Sequence, residues 1–447
     1  MVRFSAAMPI KNQATLEAKL LDISNPTSPN FGQWMTRDEV NALIEPSAGD
    51  RADVRKWVTS TGAKCVDMPS SLKCVASVSS VNKLLKTKLS AFQQKTQNNK
   101  IVHRLHPEST YTSWPNSLDD KLLFLTNLAD FPTVKRRNGA IKQIEMVDGK
   151  VAATDYAVVL ETLIDFYQLK GVKGAKASST APAEFQGDSC YNKKDLAEMA
   201  KSVGVPDWNI TKTVGPCTGN NPDLEASLDE QYMGATGYGN DQHYWTDPDW
   251  MYDWTQTLMK TADADLPGVF SISWGWSEAD QCQIDKLGPC KTNAKNSSGF
   301  VEVTNAQFAA VTARGVTFMV SSGDSGAHGR TDPSCAKPKT LPDWPTACPW
   351  ITAVGASQIQ NGVHTAPFTS PYCTKAPAGL PECATGGTEI TCSTATGALI
   401  TSGGGFSNVA PTPSWQAAAV AGYLKDTTKL PAAADFNATG RAYPDVS

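Results

Sequence analysis

The sequence predicts an α/β domain built on a parallel sheet, preceded by a small α+β unit. From about residue 150, short apolar runs alternate with helical ones. "GVFSIS" (268–273), "NAQFAAVTARG" (305–315) and "VTFMV" (316–320) read as strand, helix and strand, the repeating unit of a parallel sheet. A Gly/Ser loop, "SSGDSGAHG", follows the last strand at once. In such sheets chemistry sits beyond the carboxyl ends of strands, which singles out Asp324. Before residue 132 the texture differs, with amphipathic helices followed by paired short strands.

Taken in order, "NQATLEAKLLDI" is an amphipathic helix and "NPTSPNFGQW" a turn-rich break. "TRDEVNALI" begins a second helix, with Thr36 as N-cap and Glu39 three residues on. "RADVRKWVTSTGA" is a third, ending at Gly62. "AKCVDMP" and "LKCVASV" then pair as short strands. The basic stretch "TVKRRNGAIKQ" lies in a linker, residues 133–152, an exposed segment of the kind proteases cut. This divides the chain into 1–132, the linker, and 153–447.

Composition excludes some functions. The net charge is -4 over 447 residues, so there is no electrostatic case for nucleic acid or an anionic membrane surface. No apolar run approaches the ~20 residues of a membrane span. The eleven cysteines are widely spaced, with no zinc-like cluster, and read as disulfides in an oxidising compartment. Cys65 with Cys74, Cys282 with Cys290, and Cys335 with Cys348 are local candidates. Sequons at Asn209, Asn296 and Asn437 agree with secretion. The start, "MVRFSAAMPIKNQ", lacks a signal-peptide apolar stretch, and eleven is odd. Residues missing from both ends would explain both facts.

The chemistry centres on "LEASLDEQYM", where Glu225 and Asp229 stand four apart on a helix expected to begin at Asn221 with Pro222 in its first turn. Such a pair is by itself the pattern of a solvated helix face. In a cleft the crowding holds one proton to high pH. "GDSG" invites comparison with chymotrypsin-like proteases, with Ser325 as nucleophile. The following Ala327 and His328 break that motif, and none of the five histidines lies in a catalytic histidine motif. A hydrolase here would use a carboxylate base, which favours acid.

"EASLDEQYM", "SISWG", "SSGDSGA", "TSGGGFSNVAPTPSWQ" and "FNATGRAYPDVS" occur in this order, and with them the chain resembles the sedolisins, the serine-carboxyl peptidases. The tripeptidyl-peptidase branch is nearest, and residues 1–132, including "SNPTSPNFGQWMTRDEV", resemble the family's activation prodomain. The resemblance implies a subtilisin-like α/β catalytic domain behind a ferredoxin-like prodomain that inhibits until removed at low pH. It implies Glu225 as the base, Asp229 as its orienting acid, and Asp324 as the protonated oxyanion-hole donor. Ser273, Trp274 and Gly275, with Gly403 and Gly404, would hold a peptide or protein substrate in extended form. It also implies calcium, with Asp445 and the Val446 carbonyl as first ligands and the rest further along the chain.

The family's nucleophile lies in a G-T-S-A-S motif after "YPDV", and the look-alikes "GGTEI" and "VGASQ" precede "GGGFS" instead. No nucleophile is named, and 1–447 alone is expected to be inactive, as a fragment of a secreted or lysosomal/vacuolar proenzyme. The alternatives are a sedolisin endopeptidase and an inactive homologue that binds peptides.

Overall fold

The computed structural model describes residues 1–94, 100–105, 114–128, 146–147, 150–151, 156–169, 172–185, 190–219, 222–281, 297–332, 334–363, 382–383, 386–426 and 430–447. The basic linker stretch, the Cys282 and Cys290 candidate and Asn296 lie outside them.

The N-terminal unit is an antiparallel four-stranded sheet with helices packed on it. In chain order its strands are Val2–Ala7, Lys64–Met68, Ser71–Ala76 and Phe124–Leu125, and in the sheet they lie second, third, first, fourth. This is the ferredoxin-like order expected. Thr36 caps the helix Arg37–Ile44 in a complete capping box with Glu39. The third helix, Ala48–Thr59, starts earlier than expected because Ser47 supplies its cap. Cys65 and Cys74 face each other in the strand register and form the expected disulfide.

The second unit is a six-stranded, wholly parallel sheet. In chain order its strands are Ser179–Phe185, Ile210–Val214, Asp241–Asp247, Val269–Ile272, Thr317–Ser321 and Thr352–Val354. Across the sheet they lie 2-3-1-4-5-6. Strand order therefore reverses beside Ser179–Phe185, and the crevice at such a switch point is where ligands bind. The helices Met251–Lys260 and Ser297–Thr312 cover one side around a core containing Trp245, Trp254, Phe270, Phe308 and Phe318. The second of these helices begins eight residues before the "NAQ" taken as its start, because Phe300 and Val301 bury with the rest.

The N-terminal unit docks on that helical side. Ala7, Leu16, Leu20, Val40, Ile44 and Phe124 join the core of the second unit. Met35 N–H donates to Ala313 O at 2.9 Å. Gln256 exchanges hydrogen bonds with Ser70 at 2.6 and 3.0 Å, and Asp253 accepts from Ser5 and Asn127. Lys73 pairs with Asp249 at 3.5 Å. Among the described residues no helix is long and apolar enough to cross a membrane.

One cysteine pairing is new and one expectation is corrected. Cys190 bonds Cys217, which local spacing did not suggest. Cys335 and Cys348 are free, one exposed on a loop and the other buried in the core beneath Arg441.

Candidate active site

The helix carrying the acid pair is Leu224–Thr236, and it starts later than expected. Its cap is Asp223, whose Oδ1 accepts the Glu225 N–H at 3.0 Å, so Pro222 lies outside it. Glu225 and Asp229 are both half-buried. The next residue, Glu230, is the fully buried one. Burial, and then the charge of Asp229, push its carboxyl well above the usual range.

Asp223, Asp229 and Glu230 from this end of the helix act on Tyr244 of the strand Asp241–Asp247. The Tyr244 hydroxyl is raised first by burial, then by the charges of Glu184, Glu230, Asp223 and Asp229. Glu184 ends the first strand of the sheet, fully buried, and its Oε2 accepts the Trp274 indole N–H at 2.8 Å. That bond crosses between the ends of Ser179–Phe185 and Val269–Ile272, at the switch point. It ties the acid-pair helix side to "SWG". Sequence reasoning missed Glu184 and Glu230. The signals were present: one acid in the strand "STAPAEF", and a glutamate between Ala226 and Gly234 on one helix face, all three buried.

Asp324 lies where the alternation put it, just past the strand Thr317–Ser321. It is exposed and lines a cavity of about 480 Å³ with Ser273, Gly323, Gly355 and Ala356. Gly403 braces this loop. Its N–H donates to Gly323 O at 2.7 Å, and a methyl on it would stand 1.8 Å from Ser322 O. Thr401 N–H donates to Asp324 O at 3.0 Å. Gly404 and Gly405 lead into the strand Gly405–Pro411, whose Ser407 and Asn408 both donate to the buried Glu278. Glu278 thus ties "GGGFSN" to the chain just beyond Trp276, and burial pushes it up to about 7. The structure therefore brings Asp324, Ser273 and the glycine edge together, and connects them through Trp274 and Glu184 to the helix of Glu225 and Asp229. The described catalytic-unit histidines, His243 and His328, pair instead with Asp241 and Asp332.

Asp445 and Val446, the first calcium ligands the resemblance implies, are held by hydrogen bonds within the chain. The Asp445 carboxylate accepts from Arg441 at 2.5 Å, from Ala353 N–H at 2.8 Å and from Gln416 at 3.3 Å. The Val446 carbonyl accepts the Gly355 N–H at 2.7 Å. Both oxygens serve to fix the chain beside the last sheet strand. Among the described residues no group of three acidic, cysteine or histidine side chains could hold a metal.

Comparison with known proteins places this geometry. Residues 1–131 match the Pro-kumamolisin activation domain. Physarolisin of Physarum polycephalum is 36% identical over 450 residues, covering 100% of this chain and 74% of its own. The chain belongs to the sedolisin family. Tripeptidyl-peptidase 1 of Mus musculus is 27% identical to this sedolisin over 455 residues, covering 99% and 71% of the two chains. A solved Pseudomonas sedolisin overlaps it with a TM-score of 0.45 at 20% identity, over 65% of this chain and 70% of that one. This sedolisin is accordingly a serine-carboxyl peptidase precursor, with an activation domain docked on its catalytic unit.

Proposed function

We propose that this sedolisin is the precursor of an acid-acting tripeptidyl aminopeptidase, secreted or delivered to a lysosome or vacuole, in which carboxyl groups carry every proton transfer. The observation that supports it is the acid helix itself, on which Glu225 and Asp229 stand half-buried one turn apart beside the fully buried Glu230. Packed acids of this kind ionise one at a time. Glu225 takes the proton of the attacking serine and returns it to the leaving amine. Asp229 orients Glu225 and shares its proton. Asp324, protonated, donates to the oxyanion as the tetrahedral intermediate forms. The substrate lies extended along Ser273, Trp274 and Gly275 on one side and Gly403 and Gly404 on the other. None of the serines in 1–447 is assigned as nucleophile; in the family's pattern it follows "YPDV". Two disulfides among the described residues suit a secretory route. The tripeptidyl preference draws on the relatives that bear that name.

The test uses the protein extended by a segment bearing G-T-S-A-S. A peptide aldehyde should label it at about pH 4 and not at pH 8. Glu225→Gln should lower kcat by roughly 10²–10⁴. Peptides with a free amino terminus should be cleaved and N-blocked ones spared. Cleavage of both classes would make it an endopeptidase, and absence of labelling at any pH would make it a non-catalytic binder.

A further inference from the structure

Behind the loop that carries Asp324 lies an acid the catalytic reading does not use. Asp343 sits in the short strand Asp343–Trp344, paired antiparallel with Trp276–Ser277, and is 5% exposed. Its N–H donates to the Tyr443 hydroxyl at 2.9 Å, which fixes it from behind. Residues 323–330 close over its side chain. A methyl on Gly323 would stand 2.6 Å from Oδ2, and one on Gly329 would stand 2.8 Å from Oδ1. Both glycines hold a left-handed backbone, with φ of +101° and +61°. The two ends of the turn bearing Asp324 therefore rest on one carboxyl, and its Oδ1 has no hydrogen-bond partner.

We propose that Asp343 is a positioning residue for Asp324: as a neutral buried acid it seats the backbone of residues 323–330, and ionising it unseats that loop. The proposal rests on the reading of Asp324 as the oxyanion donor. The groups facing Asp343 are Asp324 and Arg330 from the loop, Glu278 and Asp280 from the turn beyond Trp276, and Tyr443 from the strand behind. Arg330 is the cation among them. It stacks over the Trp276 ring at 5.2 Å and donates to Gly275 O at 3.2 Å, so part of it is committed to the substrate edge. Its backbone N–H and its charge favour ionised Asp343, but burial outweighs them, and Asp324 and Asp280 add to burial. The carboxyl is pushed up to about 7. Because the folded value is raised, the seat is intact in acid and is lost as pH climbs through about 7. Asp324 adjoins Gly323, so any turn of the backbone there re-aims it.

Hydrogen exchange of the full chain, followed by mass spectrometry and corrected for intrinsic rates, reads the seat without using peptidase activity. In wild type, protection of 323–330 should fall about fivefold from pH 7 to pH 8, as expected for one ionisation centred near 7, while Val269–Ile272 stays protected. Asp343→Asn, neutral throughout, should flatten that fall. Asp343→Ser, which empties the seat, should leave the loop weakly protected at both pH values. A flat wild-type profile overturns the proposal even if neither variant folds. So does an unchanged fall in Asp343→Asn, or an equal fall in the core strand. In the serine-bearing protein, Asp343→Ser should lower kcat at pH 5 with KM unchanged. A pH-dependent loop in a protein without peptidase activity would uphold the seat and overturn the reading of Asp324.

Discussion

Leu224 and Leu228 turn outward, 58% and 52% exposed, while Glu230 on the same helix turns inward and is fully shielded. The hydrophobic effect alone would orient this helix the other way. What sets it is the row of Ala226, Glu230 and Gly234, small enough at both ends for Trp208 to lie against Gly234 and for Tyr244 to pack beneath. Neither Glu230 oxygen finds a partner in normal hydrogen-bond geometry, although the Trp208 indole lies near enough to favour the charged form. An acid so placed costs stability when it ionises. Its raised folded pKa means that its contribution is present in acid and lost as pH rises. Glu230→Met keeps the volume and removes the charge. It should melt above wild type at pH 7.5, with a gain of about 1–3 kcal/mol, and the gap should narrow at pH 4.5. Equal melting of the two proteins at both pH values would show that Glu230 is solvated after all.

At the scale of elements, the helix that holds the acid pair depends on one cap. Asp223→Ala should cost about 1 kcal/mol in urea unfolding and Asp223→Asn only a fraction of that, because the amide oxygen can still accept the Glu225 N–H. A loss as large in the Asn variant would mean that the charge of Asp223, not its cap, matters. The same helix shows what the sequence made legible. Its position, and the strand before Asp324, followed from periodicity and turn residues, which are local. Its first residue did not, since a proline at 222 suited the first turn and an aspartate at 223 suited the cap. The bond from Trp274 to Glu184 spans 90 residues and the disulfide from Cys190 to Cys217 spans 27. Only the 2-3-1-4-5-6 strand order brings Trp274 to Glu184, and no local pattern encodes it. Cys335 and Cys348 failed as a pair for the converse reason: near in sequence, they are assigned to a surface loop and to the core. The ion pair of Asp445 with Arg441 was not legible either, because the motif names the carboxylate and not the guanidinium four residues before it.

Across the whole molecule the buried carboxyls share one bias. Burial pushes Asp247 up to about 6, and Asp253, Glu278 and Asp343 up to about 7, with Glu230 raised as well. They lie in different places: Asp253 under the activation domain, Glu278 and Asp343 beside the substrate edges, and Glu230 under the acid pair. The lowered ones, such as Asp263 and Asp332, hold ion pairs or backbone bonds. For the raised group, the unfolded chain gives up its protons near pH 4 and the folded chain near 6–7, so stability is full below about pH 4 and drains away as pH rises through that window. For the lowered group the loss comes only below pH 4. The maximum therefore falls near pH 4, where the two losses meet. A single carboxyl shifted by two units is worth about 2.7 kcal/mol, so even partial cancellation among neighbours leaves a measurable slope. The melting midpoint of the full chain should rise as pH is lowered from 8 to 5, and the rise should shrink when Asp343→Asn and Glu230→Met are combined. A midpoint higher at pH 8 than at pH 5 would mean that the surface ion pairs outweigh the buried acids, and that this fold is not built for an acid compartment.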